Sequence, residues 1–304
     1  MIREDNNGSS SSSLEFVSFL GRGGFGSVSL MRDSKHGLYA EKSSPMDFIQ
    51  SLKKEHRIML RFRNHPRIIQ TTSPNFHVGI DRCYINMEFA SKGSLHDVIS
   101  KFRGRRMPEI MVARAALMIL QGLEALHSRG YVHCDLKPAN LLLFPSESFG
   151  EPWDLKLADF GLSKEPKRTD SWCGGTPQYM PPEVLGPNGV EMVGPGVDMW
   201  SLGCVVLQMF GRSLPNKKMG DFYAWKIPRR VSPMATDFVT KCMEVQPSRR
   251  ATATDLLEHP FVLRTTLIPL GTDDDQVSTK TWRFDLLRSI QKQQRQLLNY
   301  FKGC

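Results

Sequence analysis

The first ninety residues alternate apolar and polar side chains in short runs, a pattern typical of β-strands. The alternation runs from Leu14 to Leu30, and two further runs at 39–42 and 83–89 repeat it. Between these runs, residues 47–62 place apolar side chains at helical spacing. The pattern therefore predicts a small sheet accompanied by one helix.

The pattern changes to long helical periods in the rest of the chain. Residues 109–129 carry apolar side chains at helical spacing and are followed by Gly130, a residue type that favours helix C termini. Helical patterns return at 198–210, 233–243 and 252–257. A strand-rich small lobe followed by a helical large lobe predicts an α+β, two-lobed fold.

These patterns divide the chain into five segments: a polar, serine-rich tail predicted to be disordered (1–13), a small lobe (14–87), a hinge (88–93), a large lobe (94–263) and a C-terminal extension (264–304). Within the extension, residues 264–281 are polar and predict a linker. Residues 282–301 predict an amphipathic helix. This helix either packs on the large lobe or docks a partner or regulator, and both alternatives stay open.

Composition narrows the class of protein. An apolar content of 40% in 304 residues is enough to build one large domain or two lobes. No window approaches ~18 consecutive apolar residues, and the N terminus lacks an apolar signal segment, so we expect an intracellular protein without a membrane span.

Six scattered cysteines without a C-x-x-C pair indicate free thiols. The net charge of +9 is spread in small clusters without interleaved aromatics, so we expect no nucleic-acid partner.

A glycine-rich segment carries the first chemical motif. Residues 21–28 follow the pattern G-x-G-x-x-G-x-V, with four glycines in six residues. Glycine lets backbone N–H groups approach phosphate oxygens without interference from a Cβ. The residues after Val28 alternate like a strand, which favours a β-hairpin lid over the helix start of a dinucleotide-binding fold. A plain hairpin turn is the simpler alternative.

Lys42 lies 14 positions after Val28 and could neutralise phosphate charge. Such a lysine needs a carboxylate to hold it, and Glu55 on the following helix is the best candidate. Glu41 is closer along the chain, but adjacent strand residues point to opposite faces. By themselves, Lys42 and Glu55 would be ordinary surface charges.

Residues 133–140 form a compact polar cluster between two apolar runs. The apolar runs hold both ends of this loop, so that Asp135, Lys137 and Asn140 can aim a base, a cation and a metal ligand at one point. Asp159 follows 19 residues after Asn140, within Asp-Phe-Gly. The intervening residues look like an extended turn between two strands.

Taken in order, these motifs resemble those of eukaryotic protein kinases, over roughly residues 16–263. The resemblance implies that Asp135 is the catalytic base, that Lys137 stabilises the transferring phosphoryl group, and that Asn140 and Asp159 bind Mg²⁺. It also implies that Lys42 binds the α- and β-phosphates of ATP and is held by Glu55. The implied ATP contacts are Leu20, Gly21, Arg22, Gly23, Gly24, Phe25, Gly26, Ser27, Val28, Ala40, Lys42, Met87, Glu88, Ala90 and Leu142.

The class of kinase is indicated by finer motifs. Lys137 and Thr176 look like the serine/threonine version, which implies a protein substrate with a Ser or Thr acceptor. The motifs at 93–95, 133–135 and 200–204 are similar to those of plant kinases at the MAP kinase kinase kinase level. That resemblance implies a MAP kinase kinase as substrate and a stress or hormone signalling cascade. An alternative function is that of a pseudokinase scaffold without activity. This alternative predicts the loss of at least one of Lys42, Asp135, Asn140 and Asp159.

Cys134 departs from the family pattern, which has Arg before the catalytic Asp. In the family, that Arg receives an activation-loop phosphate. We therefore expect a kinase that does not depend on such a phosphate and is controlled by its level, by a partner or by thiol chemistry. Thr169 and Ser171 are further candidates for phosphorylation. The resemblance also implies that Glu183 pairs with Arg250 and that Asp198 braces the loop at 133–140, which is the catalytic loop of the family.

Overall fold

The structure is a computed structural model that describes residues 14–34, 37–146, 152–166, 174–185, 193–214, 227–228 and 230–267. Four predictions lie wholly or mostly outside the described residues: the disorder of 1–13, the phosphorylation of Thr169 and Ser171, the linker from residue 268 to 281, and the amphipathic helix at 282–301.

The small lobe is a five-stranded antiparallel sheet with strand order β1-β2-β3-β5-β4. Helix α1 packs on this sheet by burying an apolar face that includes Leu52, Ile58 and Met59. The predicted combination of a small sheet and one helix is therefore confirmed. Its elements are β1 (Glu15–Gly23), β2 (Gly26–Arg32), β3 (Leu38–Pro45), α1 (Ile49–Arg61), β4 (His77–Val78) and β5 (Arg82–Glu88).

The large lobe is mainly helical, with one two-stranded sheet, so the α+β fold is confirmed. Its elements are α2 (Leu95–Lys101), α3 (Glu109–His127), β6 (Leu141–Phe144), β7 (Asp154–Leu157), α4 (Pro182–Leu185), α5 (Gly196–Met209), α6 (Pro233–Cys242), α7 (Ala253–Leu257) and α8 (Pro260–Leu267). Strands β6 and β7 pair antiparallel, with Leu141 opposite Leu157. The predicted extended turn lies between these two strands. Residues 147–151 of this turn are not among the described residues.

Helix α3 is the centre of the large lobe. Its length and composition would allow it to cross a membrane, and among the described residues it is the one helix with this property. However, 67% of the apolar stretch within this helix is buried inside the protein. It packs against α5, α7, α8 and β7, which accounts for its apolar character.

Helix α8 continues past the predicted end of the large lobe at residue 263. It runs to Leu267, so residues 264–267, which we predicted to begin a linker, are helical. Arg264 explains this difference, because its Nη2 donates to Glu109 Oε2 on α3 at 3.3 Å. A tertiary contact across 155 residues cannot be found from local polarity.

Candidate active site

The glycine-rich segment forms the β1–β2 hairpin, in which Gly21 pairs with Val28 and Gly23 pairs with Gly26. Leu20, Arg22, Phe25 and Ser27 lie on the same hairpin. A Cβ added at Gly23 or Gly24 would meet no atom within 4 Å, so open space lies beside the tip. This is the hairpin that the sequence predicts, and its tip is open to a ligand that approaches the backbone.

Gly26 has a different role from the glycines at the tip. A Cβ there would lie 2.0 Å from the carbonyl oxygen of Ser43 on β3. The hairpin is further held by Phe25, whose ring packs edge-on against Phe48 with centroids 5.3 Å apart. Gly26 thus serves strand packing, whereas the tip glycines leave room for a ligand.

Lys42 joins the two lobes through two carboxylates. Its Nζ donates to Glu55 Oε2 at 2.7 Å and to Asp159 Oδ1 at 2.8 Å. Glu55 projects from α1 and is 1% exposed, whereas Asp159 follows β7 in the large lobe. The predicted pairing of Lys42 with Glu55 rather than Glu41 is present in the structure.

Burial and mutual charge shift the pKa values of Lys42, Glu55 and Asp159. Burial would lower the pKa of Lys42, but the charges of Glu55 and Asp159 outweigh it and raise this pKa. Burial also opposes ionisation of Asp159, yet Lys42 holds the pKa of that carboxyl below its usual value. For Glu55, burial dominates and raises the pKa despite the attraction of Lys42. Lys42 therefore stays protonated, and of its two carboxylate partners Asp159 loses its proton more readily than Glu55.

The residues implied for adenine lie on β3, β5 and β6. Ala40 and Met87 are buried and directly opposite each other in the sheet, and Val28 pairs with Lys42 on the neighbouring strand. Leu142 lies on β6, which meets the hinge through a bond from Leu143 N to Gly93 O at 2.8 Å.

Glu88 and Ala90 lie at the start of the hinge. The N–H of Glu88 donates to the carbonyl of Gln70 at 3.0 Å, which leaves its carbonyl as the group it can offer to an adenine. Both carboxylate oxygens of Glu88 accept from Lys156 Nζ at 2.7 Å. This ion pair fixes the hinge against β7.

The catalytic loop brings together the three residues that sequence spacing selects. Lys137 Nζ donates to Asp135 Oδ2 at 2.7 Å, and Asn140 Nδ2 donates to the same oxygen at 3.1 Å. Asn140 Nδ2 also donates to the backbone oxygen of Asp135 at 2.9 Å. Asp135 is 7% exposed, so its carboxylate is presented by the loop and does not move freely in solvent.

Thr176 completes this cluster, and reasoning from the sequence did not place it there. Its Oγ1 donates to Asp135 Oδ1 at 2.8 Å and accepts from Lys137 Nζ at 2.9 Å. Its position before Pro177 is typical of serine/threonine kinases but does not by itself indicate this contact. Because its hydroxyl is engaged with Asp135, Thr176 is poorly placed to be phosphorylated in this conformation.

The donor set beside Asp135 fits Mg²⁺. The amide nitrogen of Asn140 is occupied by Asp135, which leaves the amide oxygen for a cation. The carboxylate of Asp159 supplies the anionic ligand, and oxygen donors of this kind suit Mg²⁺. Ala158 N donates to Asn140 O at 2.9 Å, so the two ligands are held together despite the insertion between them.

Asp198 on α5 holds the catalytic loop from below, as the sequence predicts. Its carboxylate accepts from the backbone N–H of His133 at 2.8 Å and of Cys134 at 2.9 Å. His127, at the end of α3, lies 2.8 Å from the same carboxylate, a partner that no sequence motif revealed. Burial opposes ionisation of Asp198, but the hydrogen bond and charge of His127 and its other partners hold its pKa below the usual value.

Cys134 has an interior thiol, and this finding corrects the idea of control by thiol chemistry. The residue is 4% exposed, and Sγ lies 3.5 Å from the carbonyl of Val132. Burial and the neighbouring charge of Asp198 raise the pKa of the thiol, so the reactive thiolate is suppressed. The described cysteines 83, 134, 204 and 242 are all buried and none of them is in a disulfide, as the spacing predicts.

The activation segment, residues 164–183, is held at its first residues by contacts with both lobes. Val132 and Lys164 exchange two backbone hydrogen bonds, of 2.8 and 3.0 Å. Next to them, Arg57 on α1 donates to Glu165 Oε2 at 3.0 Å. These contacts lie in the region where Cys134 replaces the usual Arg.

The end of the activation segment is anchored by the predicted ion pair. Arg250 donates to the two carboxylate oxygens of Glu183 at 2.7 and 3.1 Å. Arg250 also donates to the carbonyl of Gly196 at the start of α5, which joins α4 to the core of the lobe.

Comparison with known families decides the identity. Residues 14–262 match the protein kinase domain family. The chain belongs to this family. It is a serine/threonine protein kinase, resembling those of plants, and members of the family generally use ATP and Mg²⁺.

Several plant proteins are similar to the kinase. Mitogen-activated protein kinase kinase kinase 20 of Arabidopsis thaliana is 33% identical over 269 residues, covering 80% of the kinase and 76% of the relative. Mitogen-activated protein kinase kinase kinases 1 and 5 of the same plant are 34% and 32% identical, covering 81% and 85% of the kinase. The chain spans 41% and 38% of those two relatives, less than half of their length.

Proposed function

We propose that this kinase transfers the γ-phosphoryl group of Mg-ATP to a Ser or Thr hydroxyl of a MAP kinase kinase, in a stress or hormone signalling cascade. Support for this level comes from the names of its relatives, which are mitogen-activated protein kinase kinase kinases. An intracellular location is part of the proposal, since such substrates are intracellular signalling proteins.

Asp135 is the group that would receive the substrate hydroxyl. Its Oδ1 is held by Thr176 and its Oδ2 by Lys137 and Asn140, so the carboxylate has a fixed direction. A base that is already oriented aligns the hydroxyl for in-line attack without further reorganisation. Lys137, beside it, is placed to balance negative charge on the transferred group.

Lys42, Asn140 and Asp159 would hold the phosphates and the metal ion. The single observation that carries the proposal is the double contact of Lys42 with Glu55 and Asp159, because it joins the phosphate-binding cation to a metal ligand. Mg²⁺, when bound, neutralises phosphate charge and orients the γ-phosphoryl group. The glycine hairpin would cover the phosphates with backbone N–H groups.

The pseudokinase alternative predicts a damaged site. Lys42, Asp135, Asn140 and Asp159 are all present, and each has the contacts that an active site needs. A scaffold that only binds nucleotide would not need Asp135 to be held by three side chains. We therefore favour the active enzyme.

The proposed activity is tested by transfer of labelled γ-phosphate from Mg-ATP to a purified MAP kinase kinase and to a generic protein substrate. Asp135→Asn should lower the rate by roughly 10²–10⁴-fold, the range for loss of a general base. Asp81→Asn is the matched control, because Asp81 is exposed in the β4–β5 turn.

The outcomes separate the alternatives. Thermal stabilisation by Mg-ATP without any transfer by the wild type would establish the pseudokinase reading. Transfer that Asp135→Asn leaves unchanged would remove Asp135 from the mechanism. Transfer to the generic substrate but not to a MAP kinase kinase would refute the proposed cascade level.

A further inference from the structure

Five exposed arginines come together on the large lobe, remote in sequence from the catalytic residues. We call this group the arginine patch; it consists of Arg103, Arg105, Arg106, Arg212 and Arg230. Three of them lie in the α2–α3 loop, one follows α5, and one precedes α6. A cluster of exposed guanidinium groups creates a positive potential that attracts anionic groups.

The backbone shows that these loops are in close contact. A Cβ added to Gly211 would lie 2.5 Å from the carbonyl oxygen of Gly104 and 3.1 Å from the carbonyl carbon of Arg105. Arg106 Nη1 donates to the carbonyl of Arg230, and Met107 N donates to Met209 O at 2.8 Å. The patch is therefore built from three loops in van der Waals contact.

Helix α8 contacts Glu109, which directly follows the α2–α3 loop of the patch. Glu109, three residues after Arg106, accepts from Arg264 in the last helix at 3.3 Å. Its other carboxylate oxygen accepts from the N–H of Ser232 at 2.8 Å, two residues after Arg230. Helix α8 ends at Leu267, three residues after this contact with Glu109.

The chain beyond α8 carries the complementary charge. Asp273, Asp274 and Asp275 are the first acidic residues after Leu267, beginning six positions on. Six extended residues reach roughly 20 Å. The contact between Arg264 and Glu109 lies only three residues from Leu267 along one segment and three residues from Arg106 along the other.

We propose that the arginine patch binds the Asp273–Asp275 segment of the same chain. Single exposed ion pairs are weak, but the short tether gives the acidic segment a high effective concentration at the patch. The contact would fasten the C-terminal extension to the large lobe and hold residues 282–301 near the kinase domain. It is independent of the phosphoryl-transfer chemistry.

Zero-length carbodiimide cross-linking of the full chain tests this proposal. Lys101 is exposed two residues before Arg103, so it can form an amide bond with a carboxylate held at the patch. Equal amounts of ¹⁵N-labelled and unlabelled protein are mixed, and peptides linking Lys101 to residues 273–275 are measured by mass spectrometry. Links within one isotope class come mainly from one molecule, whereas mixed-isotope links come from two copies.

The expected result is a link within single molecules. Its yield should fall at least about fivefold in R103E/R105E and in about 0.5 M salt, since both remove the attraction. R61E/R63E is the matched control, because these exposed arginines lie on the small lobe with the same spacing, and it should leave the yield unchanged.

Three results would overturn the proposal. A missing link between Lys101 and residues 273–275 would leave the patch open for an acidic segment of another protein. An equal yield in R103E/R105E would show that charge does not hold the segment. Mixed-isotope links as abundant as the others would assign the surface to a second copy of the chain.

Discussion

Cys134 occupies the position at which the family has an arginine, and its backbone is held by a hydrogen bond to Asp198. Its φ of 67° lies in the left-handed region, and its N–H donates to Asp198 at 2.9 Å. The main chain of Cys134 thus holds the residue in the loop, while its thiol faces the interior. Cys134 therefore affects regulation by what it lacks, a positive charge, and not by its own reactivity.

Cys134 should be inert in the native enzyme. We expect no alkylation of Cys134 by a thiol reagent at neutral pH until the protein is unfolded, because burial suppresses its thiolate. Cys134→Ala should keep kcat within about twofold, since the side chain does not touch the reacting groups. Mass spectrometry of protein alkylated before and after addition of urea measures the first effect. Native labelling of Cys134 accompanied by loss of activity would contradict this expectation.

The sequence predicted single residues well where partners are close along the chain or follow a regular alternation. Asp135, Lys137 and Asn140 lie within one loop, and strand alternation distinguished Glu55 from its rival. Thr176 was not placed in the site, because its contact with Asp135 spans 41 residues and depends on the path of the activation segment. Such contacts follow from the tertiary fold, which local spacing does not encode.

At the scale of elements, the glycine hairpin combines two different needs for glycine. The tip must let a ligand approach the backbone, and Gly23 and Gly24 have open space there. The strand end must fit against β3, and Gly26 has a carbonyl oxygen in the position of its missing Cβ.

Two alanine substitutions should separate these needs. Gly24→Ala should leave the melting temperature unchanged but raise KM for ATP roughly tenfold, equivalent to about 1.4 kcal/mol of binding free energy. Gly26→Ala should destabilise the fold by about 1–3 kcal/mol, since β2 and β3 must move apart. Thermal unfolding and ATP titrations of both variants check this. Equal melting temperatures for the two variants would refute the assignment.

Helix α1 is connected to the large lobe at two points. Ser51 Oγ donates to the carbonyl of Gly161 at 2.9 Å, and Arg57 meets Glu165, whereas Glu55 meets Lys42 within the small lobe. These contacts hold the helix in the position that Lys42 requires.

Most elements could be predicted because their periodicity is strong. The buried face of α1 and the apolar length of α3 follow directly from the sequence. The end of α8 could not be predicted, because residues 264–267 are stabilised by the pairing of Arg264 with Glu109 on a distant helix.

At the scale of the whole molecule, Asp198 connects the core of the large lobe to the catalytic loop. It is fully buried on α5 and contacts the end of α3 through His127 and the loop through His133 and Cys134. A change at this position should therefore affect stability and activity together.

Asp198→Asn should lower the free energy of unfolding by about 3 kcal/mol, because an amide N–H would face a backbone donor. Asp237→Asn, at an exposed position on α6, is the control and should change it far less.

The effect should depend on pH, since the pKa of Asp198 is lowered by folding. Its contribution is complete above the unfolded carboxyl pKa of about 3.9 and is lost as the pH falls through the folded value. Urea unfolding should thus give a constant difference between wild type and Asp198→Asn from about pH 7 to 5, and a smaller one below about pH 4. A difference that grows in acid would contradict the role of Asp198.

In the whole molecule, a buried and uncharged cysteine, Cys134, occupies the position of the arginine that receives an activation-loop phosphate in the family. The most direct test is the initial rate of γ-phosphoryl transfer by the full chain after phosphatase treatment, with complete dephosphorylation verified by mass spectrometry. We predict a rate within about twofold of the untreated enzyme, because no arginine at position 134 waits for a phosphate. Loss of most activity on dephosphorylation, recovered on rephosphorylation, would contradict the account.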